Sequence, residues 1–274
     1  MSRAVAVVAC ALAALAVLWA RGGAGDVAAQ GRALTFPRGD LVDLSHPFNR
    51  RTIYWPTAKR FRLTEVAEGR TEGGYYYSAY NYEGAEHGGT HLDAPIHFSR
   101  GGRAPHELPL SDLTGNGIVV DVSAAAAANP DYLVSVADLE AWEGEHGRIA
   151  RNSIVLLRTG QDRFYPDAAR YLGTADRGAD AVPKLHFPGL DPAAARWLVR
   201  ERRIEAVGLD TASIDRGQST DFLAHRVLAA AQVPIFENLT NLDELPAEGF
   251  LVVALPMKIE GGSGGPLRAM AITP

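Results

Sequence analysis

Three of the chain's eight histidines and one carboxylate fall within twelve residues, His87-Gly-Gly-Thr-His91-Leu-Asp93-Ala-Pro-Ile-His97-Phe98. Neutral imidazoles beside a carboxylate are the ligand set of catalytic zinc or manganese, with coordination positions left for water and substrate. A helical His-x-x-x-His face is disfavoured, because Gly88 and Gly89 oppose helix and Pro95 follows closely. The spacing predicts instead a tight glycine turn that delivers the chain into an extended segment. There, residues two apart share a face, so His91, Asp93 and His97 project to one side. His87 then folds back across the turn to join them. The competing reading is a metal-free loop of hydrogen-bonded histidines.

The elements that must position this cluster follow a leader. Arg3 precedes an uncharged apolar run over 4–20, and Val27-Ala28-Ala29 offers small residues for cleavage before Gln30. That pattern predicts a signal peptide over 1–29, an exported and periplasmic protein, and one functional domain over 30–274. An uncleaved membrane anchor is the alternative. Without Arg3, Arg21 and Asp26 the mature chain carries 25 basic and 31 acidic residues, a net charge of −6. This balance argues against a nucleic-acid surface. The sole cysteine, Cys10, lies in the leader, which excludes a cysteine-ligated metal and a disulfide framework.

Extended runs are expected at 40–45, 61–66, 75–82, 117–122, 153–158, 204–210, 233–236, 250–255 and 267–272. Helices are fewer. One starts at Ser135 with Asp138 as a capping-box partner and runs to 145. A second starts at Asp191-Pro192 and runs to 203, and a third covers 221–231. The alanine-rich stretch 124–128, ending at Asn129-Pro130, reads as a surface connection. Strands with interspersed helices imply an α/β domain with a substantial mixed sheet. The tyrosine-rich run 75–82 is a strand of strong β formers; its place just upstream of His87 leaves open an aromatic substrate pocket. Trp55, in Tyr54-Trp55-Pro56, has the same two readings.

Two residues outside the cluster look out of place. His225 sits among Phe222, Leu223, Val227 and Leu228 on the third expected helix, and Glu237 ends an apolar strand-like run. A charge at the carboxyl end of a buried strand is where α/β folds place functional groups. Each alone reads equally well as a satisfied core histidine and a surface glutamate. Together with Asp93, which can bridge two ions, they can complete a second metal position.

The segment from His87 to Phe98 resembles the His-x-Gly-Thr-His-x-Asp-x-Pro-x-His signature of the cyclase family of metal-dependent hydrolases, which includes bacterial kynurenine formamidases and isatin hydrolases. The resemblance continues through Asp43-Leu-Ser-His46-Pro, Tyr54-Trp55-Pro56, Val155-Leu-Leu-Arg158-Thr-Gly, Gly208-Leu-Asp210-Thr, His225, Glu237-Asn-Leu and Ala254-Leu-Pro-Met-Lys258. It implies a single α/β domain of the swivelling β/β/α type, with a mixed sheet and few helices, assembled as a homo-oligomer. It implies that His87, His91 and Asp93 hold a first divalent ion, manganese or zinc. Asp93, His225 and Glu237 would hold a second in a formamidase-like arrangement. By the same likeness His97 transfers protons and Trp55 contacts an aromatic substrate. Ser213-Ile-Asp215-Arg-Gly-Gln218-Ser219 and the glycine-rich stretch from Lys258 to Pro266 are more similar to the isatin hydrolase branch. That branch implies one manganese approached by Gln218, so the two branches differ over His225 and Glu237.

The ligand set sets the expected chemistry. A bound divalent ion lowers the pKa of its water to about 7 and polarises the substrate carbonyl. His97 can take the water's proton and return it to the leaving nitrogen. The expected reaction is hydrolysis of a C–N bond in a small aromatic lactam of isatin type, with N-formylkynurenine as the alternative substrate. A lactonase would use the same machinery, and a non-catalytic periplasmic binding protein is the reading from a different class. Gly261-Gly-Ser263-Gly-Gly265 matches a nucleophile elbow formally, but a strand-like run follows it instead of a helix, so it reads as a flexible link.

Overall fold

The computed structural model describes residues 39–274, so the expected leader lies outside the described residues. In chain order the strands are β1 (Asp40–Asp43), β2 (Arg62–Arg70), β3 (Tyr76–Glu83), β4 (His91–Asp93), β5 (Thr114–Asp121), β6 (Leu133–Val134), β7 (Ile154–Arg158), β8 (Gly189–Leu190), β9 (Ala206–Leu209), β10 (Ile235–Glu237), β11 (Phe250–Pro256) and β12 (Gly264–Thr273). The helices are α1 (Ser123–Ala128), α2 (Val136–His146), α3 (Ala168–Tyr171), α4 (Pro192–Trp197) and α5 (Leu223–Ala230).

Strands β12, β11, β5, β7, β9, β10 and β4 pair in that order, and β4 pairs back onto β12 to close a barrel-like ring. The β5–β7–β9–β10 stretch is parallel, and the remaining ring pairs are antiparallel. β12 is long enough to carry β4 at its start and β1 at its end along the same edge. Closure leaves the ring an inside and an outside, and both are covered. In β7, Ile154 and Leu156 point inward to meet Leu92, Phe236 and Val252. Val155 and Leu157 point outward beneath Leu139, Leu198 and Leu228 of the helical layer. A parallel strand buried on both faces reads as an unbroken apolar run, which is why 153–158 stands out in the sequence. Truncating Leu156 to alanine would cost about 2–5 kcal/mol through the void it leaves.

Each expected extended run overlaps a strand, and local capping explains two helices. Ser135 accepts from the Asp138 amide, and Asp138 reciprocates at the Ser135 amide. Asp191 accepts from the Ala193 amide ahead of Pro192, and the helix widens into a π turn before Arg203 ends it. Two expectations need correction. The stretch 124–128 is helix α1 rather than a connection, because alanine is the strongest helix former and the Ser123 amide is held by Asp121. The third helix begins at Leu223, since Phe222 adopts the left-handed conformation (φ +50°) and breaks the helical path from Asp221.

The tyrosine-rich strand β3 pairs only with β2, as a two-stranded ribbon. Tyr75, Tyr76, Tyr77, Tyr80 and Tyr82 are 40–67% exposed along it. Among the described residues, no helix is long and apolar enough to cross a membrane.

Candidate metal centre

Strand β4 is three residues long, and its alternation does most of the work. Leu92 faces the ring interior while His91 and Asp93 face the opposite side, all three buried. Opposite His91 in the antiparallel register stands Glu237, the last residue of β10. The turn before β4 is built by Gly88, where a Cβ would stand 2.1 Å from the Tyr54 ring, and by Gly89, at φ +58°. It returns His87 across the strand as its spacing predicts. His97 differs from expectation. The extended segment ends at Asp93, and Pro95 starts a single 3-10 turn (Pro95–His97) that delivers His97 to the same cavity.

The donor atoms converge on Asp93. Its Oδ1 lies 2.6 Å from His87 Nδ1 and 3.1 Å from His91 Nε2. Its Oδ2 lies 3.1 Å from His225 Nε2 and 3.8 Å from His97 Nε2. Glu237 closes the cluster, with Oε2 3.5 Å from His91 Nε2 and Oε1 3.2 Å from His225 Nε2. His87, Asp93 and His97, and likewise His91, Asp93 and Glu237, place their donors close enough to share one ion.

Three imidazoles are aimed by partners on their outer faces. His91 Nδ1 donates to the Gly89 carbonyl at 2.9 Å, and Asn238 braces that carbonyl from the other side at 2.8 Å. His225 Nδ1 donates to Asp215 at 2.6 Å. His87 Nε2 lies 2.8 Å from Ser263 Oγ. Such outer contacts fix the tautomer and leave the inward nitrogen lone pair free for a cation.

Charge explains why the set suits a cation. Burial works against ionisation of Asp93, yet His87, His225 and His91 hold its carboxyl well below the usual carboxylate range. Burial and the Asp93 charge together raise Glu237. Burial opposes the charge on His225, but Asp215, Asp93 and Glu237 hold its pKa well above the ordinary value. With protons alone available, buried imidazolium must neutralise buried carboxylates. A divalent cation would meet the same oxygens and free the nitrogens to ligate. His97 is the exception: burial lowers its pKa to about 4, so its ring is neutral at pH 7.

These groups line one side of a cavity of about 290 Å³. Trp55, Phe98 and Phe222 supply an aromatic wall, with Phe222 set 5.4 Å from Phe98 and 6.3 Å from Trp55 between ring centroids. The structure therefore brings together His87, His91, Asp93, His97, His225, Glu237 and Trp55. It does not bring Gln218, which is exposed and directs its amide toward His186 Nε2 at 3.0 Å. The tyrosines of β3 do not line the cavity either. Sequence reasoning assigned no site role to Glu86, Phe98, Asp215, Phe222 or Ser263. A polar or aromatic residue in a loop carries no periodic signal, so only its position marks it.

The Cyclase family model, described as "Putative cyclase", matches residues 42–216. An isatin hydrolase of Roseibium aggregatum is 31% identical over 247 residues, covering 87% of this chain and 88% of that protein. A kynurenine formamidase of Salinibacter ruber is 31% identical over 231 residues, covering 84% of this chain and 96% of its own. Among solved structures, isatin hydrolase A from Labrenzia aggregata bound to benzyl benzoate aligns with a TM-score of 0.77 and 34% identity, over 85% of this chain and 93% of that one.

Proposed function

The chain belongs to the cyclase family, and on that footing we propose that it is a metal-dependent hydrolase opening the C–N bond of a small aromatic lactam of isatin type. The observation that carries this reading is the convergence of four imidazoles and two buried carboxylates beneath an aromatic wall. We assign the closed ring and its helical layer to the swivelling β/β/α type.

The donor set fits manganese or zinc, being nitrogen and carboxylate oxygen without sulfur. By the family likeness His87, His91 and Asp93 would hold one ion, and Asp93, His225 and Glu237 would hold a second. The exposed position of Gln218 and the inward position of Glu237 favour this two-ion division over a single ion approached by Gln218. A bound divalent ion supplies Lewis acidity and a water made acidic enough to ionise near neutral pH. Trp55, Phe98 and Phe222 exclude water and orient a flat ring. His97, neutral and partly open to the cavity, takes a proton from the attacking water and delivers it to the departing nitrogen. Without that delivery the amine is a poor leaving group.

N-formylkynurenine is the second candidate, because the two-ion donor set is the one the formamidase likeness implies. An assay following isatin and N-formylkynurenine by absorbance, with and without chelator, tests the reading. Turnover of either that chelation abolishes and manganese or zinc restores is expected. No turnover of both, with metal bound, would leave a binding protein or an ester hydrolase and refute the substrate class.

Export through a cleaved leader over 1–29, with the hydrolase domain over 30–274, is part of the same proposal, as is a homo-oligomer. The exposed tyrosines of the β2–β3 ribbon support the latter, since a two-stranded ribbon alone is marginally stable in water.

A further inference from the structure

The glycine-rich loop between β11 and β12 is anchored at its serine. Ser263 donates from its amide to Glu86 Oε2 at 2.9 Å, and Oγ lies 2.7 Å from the same oxygen. Its carbonyl accepts from the Ala94 amide at 3.0 Å, beside the 3-10 turn carrying His97. The flanking glycines permit this approach. A Cβ on Gly264 would stand 2.4 Å from the Leu92 carbonyl and 2.6 Å from the His87 ring. One on Gly262 would stand 2.6 Å from Glu86 Oε1.

Ser263, His87 and Asp93 lie in the order of a hydrolytic triad, at 2.8 and 2.6 Å. Three observations reject a serine nucleophile. Ser263 does not line the cavity, its hydroxyl proton has a carboxylate to go to, and its loop enters a strand rather than a helix. The chain of donors runs the other way. His87 Nε2–H donates to Ser263 Oγ, and Ser263 O–H donates to Glu86. Nδ1 then faces Asp93 Oδ1 at 2.6 Å, on the side from which an ion would be held.

We propose that Ser263 and Glu86 are positioning residues that lock the His87 ring and raise its strength as a metal ligand, as the Gly89 carbonyl does for His91 and Asp215 for His225. This rests on the metal reading above. Outer contacts of this kind change metal affinity about 10–100-fold when removed.

The test measures zinc and manganese dissociation constants for the metal-stripped full chain by competition with a chromophoric chelator. Wild type, Ser263→Ala and Glu86→Gln are compared, with thermal unfolding of each stripped protein. The expected result is affinity about 10–100-fold weaker in Ser263→Ala and an intermediate loss in Glu86→Gln. Turnover should return toward wild type at saturating metal. Wild-type affinity in both variants overturns the proposal, as does normal affinity with turnover lost at saturating metal, which would mark a nucleophile. Failure of wild type to bind either ion overturns the metal reading itself, a distinct result. Should Ser263→Ala not fold, Glu86→Gln alone decides, by weakened or unchanged affinity.

Discussion

Asp215 holds both a helix and a histidine, and its removal can be sized from the structure. Helix α5 has no local cap, because its N-terminal neighbour is Phe222. Asp215, in the loop before the helix, accepts instead from the amides of Ala224 (3.0 Å) and His225 (3.1 Å) and from His225 Nδ1 (2.6 Å). Loss of a cap costs about 1 kcal/mol. Loss of a buried hydrogen bond to a charged group costs about 2 kcal/mol more. Asp215→Ala should therefore lose about 3 kcal/mol, or about 6–12 °C in Tm for a domain of this size. Asn keeps one acceptor and converts the other to a donor, so Asp215→Asn should lose about half as much. Urea unfolding of the metal-stripped proteins at pH 7 measures both. A loss below about 1 kcal/mol in Asp215→Ala, with the m-value unchanged, would refute the argument that this carboxylate caps α5 from the preceding loop.

His97→Ala should keep its metal while turnover falls about 10²–10⁴-fold, measured at saturating substrate beside metal content. Trp55→Ala should raise KM for an aromatic substrate about tenfold with a smaller change in kcat, since lost aromatic stacking acts on binding. His46 is stacked on Tyr165 and burial lowers its pKa to about 4. The folded state therefore binds its proton less tightly than the unfolded state, whose pKa is near 6.5. Its share of stability is full above pH 6.5 and is lost as pH falls toward 4, by at most about 3 kcal/mol. His46→Phe keeps the stack and should flatten that part of the pH–stability curve; an unchanged slope would place the titration elsewhere.

Periodicity carried most of the fold. Alternating or continuous apolar runs located the ring strands, because burial on one or two faces leaves that imprint on the residue order. The glycine turn marks the extended segment of β4, but Pro95 ends it sooner than the spacing suggests, so His97 lies on a 3-10 turn rather than on an extended face. The alanines of α1 lack an apolar–polar contrast, and composition alone misread them. The residues that meet at the cavity were legible where side chains able to ligate cluster in sequence, as at His87, His91 and Asp93. They were legible also where a polar type interrupts an apolar pattern, as at His225 and Glu237. Ser263 and Asp215 act through contacts 176 and 10 residues away, which no local pattern encodes. Gln218 had the right family context but the wrong surroundings, paired to His186 outside the cavity.

Metal stoichiometry tests the central claim most directly. The protein would be stripped, reconstituted with manganese or zinc, passed through gel filtration and assayed for bound metal, alongside Asp93→Ala. Retention of one to two ions per wild-type chain, and none in a folded Asp93→Ala variant, is the predicted result. Wild type that emerges free of metal would contradict the account.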